Sequence, residues 1–295
     1  MAVAAQEVPR GESETRSGRI VRFITKTPVH IFLIFVALFW LTPTVGLLMT
    51  SFRPEDDITQ SGWWTVFTEP AQLTFENYGN ILDQEGLVQS LLNTFYITVP
   101  TTVLLVIVAS AAAYAFSWIE FKGREVLFLV VVSLLVVPLQ MALIPVARLF
   151  GDLNIFGTIW AAILFHIAFG LPFAVFLLRN FFVGLPHELL EAARIDGASE
   201  LQIFTRIVLP LGMPAIAALT IFQFLWTWND LLVALVFTAR GSTPITVAIR
   251  DQLSQFGGNL EVIAPGAFLS MVVPLVVFFA FQRHFVQGLL AGSVK

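Results

Sequence analysis

Six apolar runs alternate with polar segments along this chain, near 29–50, 92–117, 126–148, 157–178, 211–237 and 263–282. Each is long enough to cross a hydrocarbon core of about 30 Å, which takes roughly 20 residues of helix. The pattern predicts an all-α membrane protein with six transmembrane helices. A polar segment precedes the first run, and no small-x-small cleavage pattern follows it at Leu48, Met49 and Thr50, so the run reads as a retained anchor rather than a signal peptide. Composition sharpens this: 57% of the 295 residues are hydrophobic, only 12% are charged and 29 are Phe, too apolar for a soluble domain.

The polar segments are short. A tail over 1–28 precedes a membrane domain over 29–295, whose outer loops are expected at 51–91, carrying Trp63 and Trp64, and at 238–262, carrying Gly257 and Gly258. None is long enough for an independent core without disulfides or metals. With no cysteine in the chain, disulfides, thiolate metal sites and cysteine nucleophiles are excluded.

The net charge of −4 matters less than where the bases lie. With the N-terminus inside, the inner segments hold Arg10, Arg16, Arg19, Arg22, Lys26, Lys122, Arg124, Arg179, Arg194, Arg206, Arg283 and Lys295. The outer segments hold only Arg53, Arg148, Arg240 and Arg250. This bias predicts that both termini and the segment after the fourth run face the cytoplasm.

That segment, 186–210, is the most distinctive polar stretch. Pro186 suits a helix start, and the following residues HELLEAAR are helix formers with Glu188 and Glu191 near the N-terminal end. Gly197 tolerates positive φ and should stop the helix. Ser199 with Gln202 forms a capping-box pattern for a second helix, expected to end by Pro210. Ala192 and Ala193 leave a face short enough for another backbone to approach closely. Composition alone leaves open whether this is a docking element or a surface connector.

The spacing resolves it by likeness. EAA at 191–193, Gly197, then Ile207, Leu209 and Pro210 resemble the cytoplasmic EAA loop of ABC importer permeases. The likeness extends to TSFRPEDDI (50–58), FENYGNI (75–81), SWIEFKGRE (117–125), WNDLL (228–232) and FVQGLLAGSVK (285–295), and is similar to the carbohydrate-uptake class, in particular the tail-bearing second inner-membrane subunit of maltose and α-glucoside importers. The resemblance implies that Glu191, Ala192, Ala193, Asp196, Gly197, Ile207, Leu209 and Pro210 couple this chain to an ATPase, and that Gly292, Ser293, Val294 and Lys295 reach between ATPase subunits. The chain departs from the class in lacking a final Gly after Lys295. The implied partners are a homologous permease, two ATPase subunits that bind ATP and Mg, and an extracytoplasmic sugar-binding protein, with this chain in a prokaryotic inner membrane. Lipid surrounds the chain, and no nucleic acid is expected.

In the fifth run Thr220, Gln223, Thr227 and Asp230 are spaced 3, 4 and 3, one polar stripe on a helix. Facing lipid would cost such groups several kcal/mol, so the stripe should face protein or a pore. Asp230 lies roughly 28 Å along from Leu211 at about 1.5 Å per residue, near the outer boundary, with Trp226 and Trp228 beside it. Asn229 and Asp230 therefore read either as an interface anchor or as part of a gate or sugar path, and Gln223 as the stronger path candidate. Gln140, between Pro138 and Pro145, joins the path or gate set because kinks there free carbonyls. Thr94, Thr98, Thr101 and Thr102 share a face and read as packing residues bonded to carbonyls one turn back. His166 reads as a hydrogen-bonded packing residue with no second ligand at metal spacing.

Enzyme readings find no support: the chain has no HExxH helix, no GxSxG elbow and no phosphate loop preceding Lys26, Lys122 or Lys295. With the resemblance, the expectation is a non-catalytic permease moving a sugar, an oligosaccharide or α-glucoside, into the cytoplasm by alternating access driven by ATP hydrolysis in partner subunits. The alternatives are an ion-coupled secondary transporter, for which mid-membrane charges are expected, and a membrane assembly protein.

Overall fold

A computed structural model describes residues 16–83, 85–256 and 259–291. The helices are α1 (Arg16–Ser51), α2 (Glu55–Gln60), α3 (Glu76–Asp83), α4 (Glu85–Trp118), α5 (Arg124–Ser133), α6 (Leu139–Asp152), α7 (Ile159–Phe182), α8 (His187–Ile195), α9 (Glu200–Ile203), α10 (Leu209–Trp228), α11 (Leu232–Phe237), α12 (Ile245–Phe256) and α13 (Leu260–Ala291). Among the described residues there is no strand, only an isolated parallel bridge between Gly157 and Thr238.

Five helical runs are long and apolar enough to span a membrane: Thr27–Ser51, Gly86–Trp118, Ile159–Phe182, Glu200–Trp228 and Leu260–Gln282. The expected third span differs. Arg124–Val136 and Leu139–Asp152 meet at 102°, so they make a sixth span only if the bent pair is taken as one. Pro138 explains the break: it donates no backbone hydrogen bond and pushes Val137 out of the helical region, to φ −72° and ψ 117°.

Helices α4 and α7 pack along their length, α10 lies against both, and α13 joins α10 to α1. Small residues let the backbones approach: Ala109 and Ala113 of α4 and Ala161, Ala162 and Ala174 of α7 are fully buried. One apolar cluster runs from Leu105, Leu178 and Leu219 through Tyr114, Trp118 and Phe182 to Leu190, Ile203 and Val208. The segment after α7 is thus rooted in the same core as the spanning helices. A second cluster joins Leu143, Phe150, Phe165, Val233 and Phe237 of α6, α7 and α11.

The 51–91 segment is held by a polar hub. Arg53, 1% exposed, donates from Nε to Gln72 Oε1 (2.7 Å), from Nη1 to the Ser61 carbonyl (3.0 Å) and from Nη2 to the Asp57 carbonyl (2.7 Å). Asn77 Nδ2 closes the hub on the carbonyls of Ser51 and Arg53. A guanidinium whose donors all find oxygen at fixed angles can order a segment too short for an apolar core.

Candidate functional site

At one end of the bundle, α8 and α9 form a bent knob. The chain turns at Gly197, whose φ is +82°, a value that strains any residue with a Cβ. The Gly197 amide donates to the Arg194 carbonyl and the Ala198 amide to the Ala193 carbonyl, both at 3.0 Å, the two bonds of a Schellman cap. Ser199 then starts α9 with a full capping box: its amide donates to Gln202 Oε1 (2.8 Å) and its Oγ accepts from the Gln202 amide (3.4 Å).

The second helix does not end by Pro210 as the sequence suggested. From Ile203 the chain passes through one π-helical stretch, Phe204–Val208, and continues directly as α10. The wider turn shifts the bonding register just before the proline, which has no N–H to give.

The knob has two faces. Leu190 and Ile203 are fully buried against the bundle, while Leu189, Ile195 and Leu201 stand out, Ile195 at 86% exposure. Glu191, Ala192, Asp196 and Gly197 share the exposed side, and Ala193 is half-buried. Further along, Ile207 and Leu209 are half-buried and Pro210 is exposed. Arg194 Nε donates to Glu200 Oε1 at 3.0 Å, and that bond raises the guanidinium above its ordinary value.

The polar stripe on α10 leads away from the knob. Gln223 and Thr227 are buried and bonded to each other, Gln223 Nε2 donating to Thr227 Oγ1 at 3.0 Å. Thr220 is half-buried and donates to the Ile216 carbonyl. Gln223 also reaches an open pocket between the turn at 134–136, α7 and α10 that presents Phe169, Phe173, Phe222 and Trp226. Gly170 of α7 makes room here: a Cβ at that position would lie 2.8 Å from Gln223 Oε1 and 2.4 Å from Leu105 Cδ1.

Asp230 sits where α10 breaks. Its carboxylate accepts from the amides of Val233 (3.4 Å) and Ala234 (3.0 Å), capping α11, and its carbonyl accepts from Thr246 Oγ1 (2.7 Å). His166 Nε2 of α7 lies 3.5 Å from Asp230 Oδ2, and the two side chains are 2% and 11% exposed. His166, far away in sequence, gains an acidic partner that its spacing could not reveal, and its ring edge packs on Trp226. Asn229, by contrast, is exposed and bonded back to the Leu225 carbonyl, on an open groove with Thr246, Ser270 and Met271. Gln140 stands exposed on the first turn of α6.

The threonines of α4 line the other side of this region. Thr94 and Thr102 bond to carbonyls one turn back, and Thr94 Oγ1 also accepts from the Ile245 amide. Thr98 and Thr101 are buried with no such bond. Thr94 and Thr98 join His166, Thr227 and Asp230 around a small cavity.

The family model for a binding-protein-dependent transport system inner membrane component matches residues 86–290. The chain belongs to this family. An osmoprotective-compound uptake permease protein of Synechocystis sp. is 46% identical over 98% of both chains. An α-glucoside transport system permease protein of Rhizobium meliloti is 37% identical over 90% of this chain and 96% of its own. Among solved structures, a chain of a bacterial ABC transporter involved in import of the polysaccharide alginate matches with a TM-score of 0.74 at 25% identity, covering 92% of this chain and 98% of that one.

As a member of this family, the chain is an ABC transporter permease, a multi-pass protein of the prokaryotic inner membrane. Relatives of this kind are transport components rather than enzymes. Among the described residues no group of three or more His, Cys, Asp or Glu could hold a metal ion. The tail residues Gly292, Ser293, Val294 and Lys295 lie outside the described residues.

Proposed function

We propose that this chain forms half of the translocation path of a sugar importer and carries an oligosaccharide or α-glucoside into the cytoplasm. The knob carries the reading: a rigidly capped element, rooted by Leu190 and Ile203, that presents Leu189, Ile195 and Leu201 outward beside Glu191 and Asp196. Exposed aliphatic groups at an aqueous end of a membrane protein are suited to burial by a soluble partner. The ATPase subunits, binding ATP and Mg, dock there, and their closure drives alternating access; Gly292 to Lys295 reach between them. The bias of basic residues supports a cytoplasmic knob and cytoplasmic termini. Residues 29–295 act as one permease domain behind the 1–28 tail, in six spans with α5 and α6 as the bent one. A homologous permease completes the path and an extracytoplasmic binding protein delivers the sugar.

The aromatic pocket beside Gln223 supports a saccharide path. Flat ring faces meet the apolar faces of sugars and a buried amide bonds their hydroxyls, a combination typical of small-molecule sites. Thr220, Thr227, Asn229, Asp230 and Gln140 continue the path or its gate. The named substrates of the Synechocystis and Rhizobium relatives, osmoprotective compounds and α-glucosides, support the same solute class. Family membership favours neither a secondary transporter nor an assembly protein.

The test is ATPase activity of the complex co-purified with the tagged chain, with its binding protein and a panel of disaccharides and osmoprotective compounds. Hydrolysis rising with one solute is expected, and a chain purifying without any ATPase removes the reading. Gly197→Pro should abolish uptake while the chain still inserts, because proline fits neither φ +82° nor the amide bond to Arg194. Normal uptake by that variant ends the coupling role of the knob.

A further inference from the structure

We propose that Tyr114 is a positioning residue that locks the knob onto α4 through Glu200 and Arg194, so that movement of the knob is passed to α4 directly. This rests on the reading of the knob as the ATPase-coupling element.

Side chains from two helices, α4 and α8, meet at one carboxylate on a third, α9. Tyr114 of α4 donates its hydroxyl to Glu200 Oε2. Arg194 of α8 grips the same carboxylate, from Nε to Oε1 at 3.0 Å and from Nη2 to Oε2 at 3.4 Å. Arg194 Nη2 also donates to the Trp118 carbonyl at 3.1 Å, one turn along α4 from Tyr114. Trp118 Nε1 in turn donates to the Phe182 carbonyl at the end of α7 (3.1 Å), and the Trp118 ring meets His187 edge-on at 4.6 Å. The ends of α4 and α7 and both helices of the knob are thereby joined.

Covalently, the knob is held by weaker links. It leaves α7 through the turn at 183–186 and reaches α10 only through the π-helical stretch Phe204–Val208. Altered helix registers are common bending points, so a push on the knob could be absorbed there. Leu190 and Ile203 root the knob, but apolar contact is non-directional and resists sliding poorly. Charge-assisted bonds from Tyr114 and Arg194 fix direction as well as distance.

The choice of residue points the same way. The chain uses 29 Phe and only three Tyr. Tyr114 is 4% exposed and packs on Phe204 within the apolar cluster, where Phe would fill the space without a hydroxyl to satisfy. A buried hydroxyl is costly unless bonded, and here its bond ends on the knob.

The test uses the whole importer, both permeases with the ATPase subunits, in proteoliposomes with binding protein and transported sugar outside. The readout is sugar moved per ATP hydrolysed in intact complexes. Tyr114→Phe should lower this ratio about tenfold, the lower range for losing a bond to a charged group, while ATP hydrolysis persists. Glu200→Ala should do the same, the double variant should be no worse, and Glu200→Gln, which keeps an acceptor, should retain most coupling. An unchanged ratio in Tyr114→Phe, or an equal loss of transport and hydrolysis, overturns the proposal. If Gly197→Pro uncouples but Tyr114→Phe does not, only this inference fails. Normal uptake by Gly197→Pro overturns the coupling reading and this inference with it.

Discussion

The turn at Gly197 and the break at Asp230 both interrupt helices, yet they are held in opposite ways. At Gly197 each cap comes from the adjoining residues: the Ala193 and Arg194 carbonyls on one side, the Ser199 and Gln202 pair on the other. At Asp230 one local carboxylate caps α11, while the rest of the support comes from afar, from His166 of α7 and Thr246 of α12. Beside it, Trp228 is fully buried between Phe95 and Phe224 and donates to the Ser270 carbonyl of α13 at 2.9 Å. A locally capped element can move as a rigid piece against its partner. A break supported from several helices changes only when those helices change relative to one another. That division suits an element that receives motion at one end and a junction that responds at the other.

The comparison breaks most visibly at Trp228. Trp228→Ala empties a site shared by α4, α10 and α13 and should cost about 3–5 kcal/mol, read as a large drop in thermal stability of the solubilised chain. A small drop means that the break is not braced by tertiary packing. Next comes Asp230→Ala, which strips two amides of their acceptor and His166 of its acidic neighbour and should cost about 1–3 kcal/mol. Asp230→Asn should cost less, because the amide oxygen can still cap α11. A double-mutant cycle with His166→Ala should yield a coupling energy of roughly 0.5–3 kcal/mol. Simple additivity means that the 3.5 Å pair contributes nothing.

Smaller effects belong to the knob. Gly197→Ala meets no atom within 4 Å of its new Cβ, so its cost is the left-handed backbone alone, about 1–2 kcal/mol. Faster amide exchange confined to α8 and the turn is expected, and spread of that change into α7 or α10 contradicts local capping. Ser199→Ala should be mildest, about 1 kcal/mol from the lost cap, with faster exchange in the first turn of α9 only.

The knob was the more legible of the two. Gly197, Ser199 and Gln202 announce their conformations because each acts on backbone groups a few residues away. The π-helical stretch before Pro210 was not legible, since continuing a helix past a proline depends on what α10 packs against. Of the polar stripe, periodicity found Gln223, Thr227 and Asp230 on one face but not their neighbours. Tyr114, Arg194 and Glu200 were missed as a set, although the scarcity of Tyr beside 29 Phe was a signal that could have singled out Tyr114.

By itself the sequence determined the helical class, the apolar runs, the turn at Gly197 and the likeness carried by the EAA segment, because hydropathy and backbone capping are short-range properties. Only the tertiary structure decided that Arg53 orders the 51–91 segment, that Pro138 turns one expected span by 102°, that His166 faces Asp230 and that Tyr114 reaches Glu200. Each of these depends on which helices lie side by side, and the free energy that selects their arrangement comes from the packing of the whole bundle.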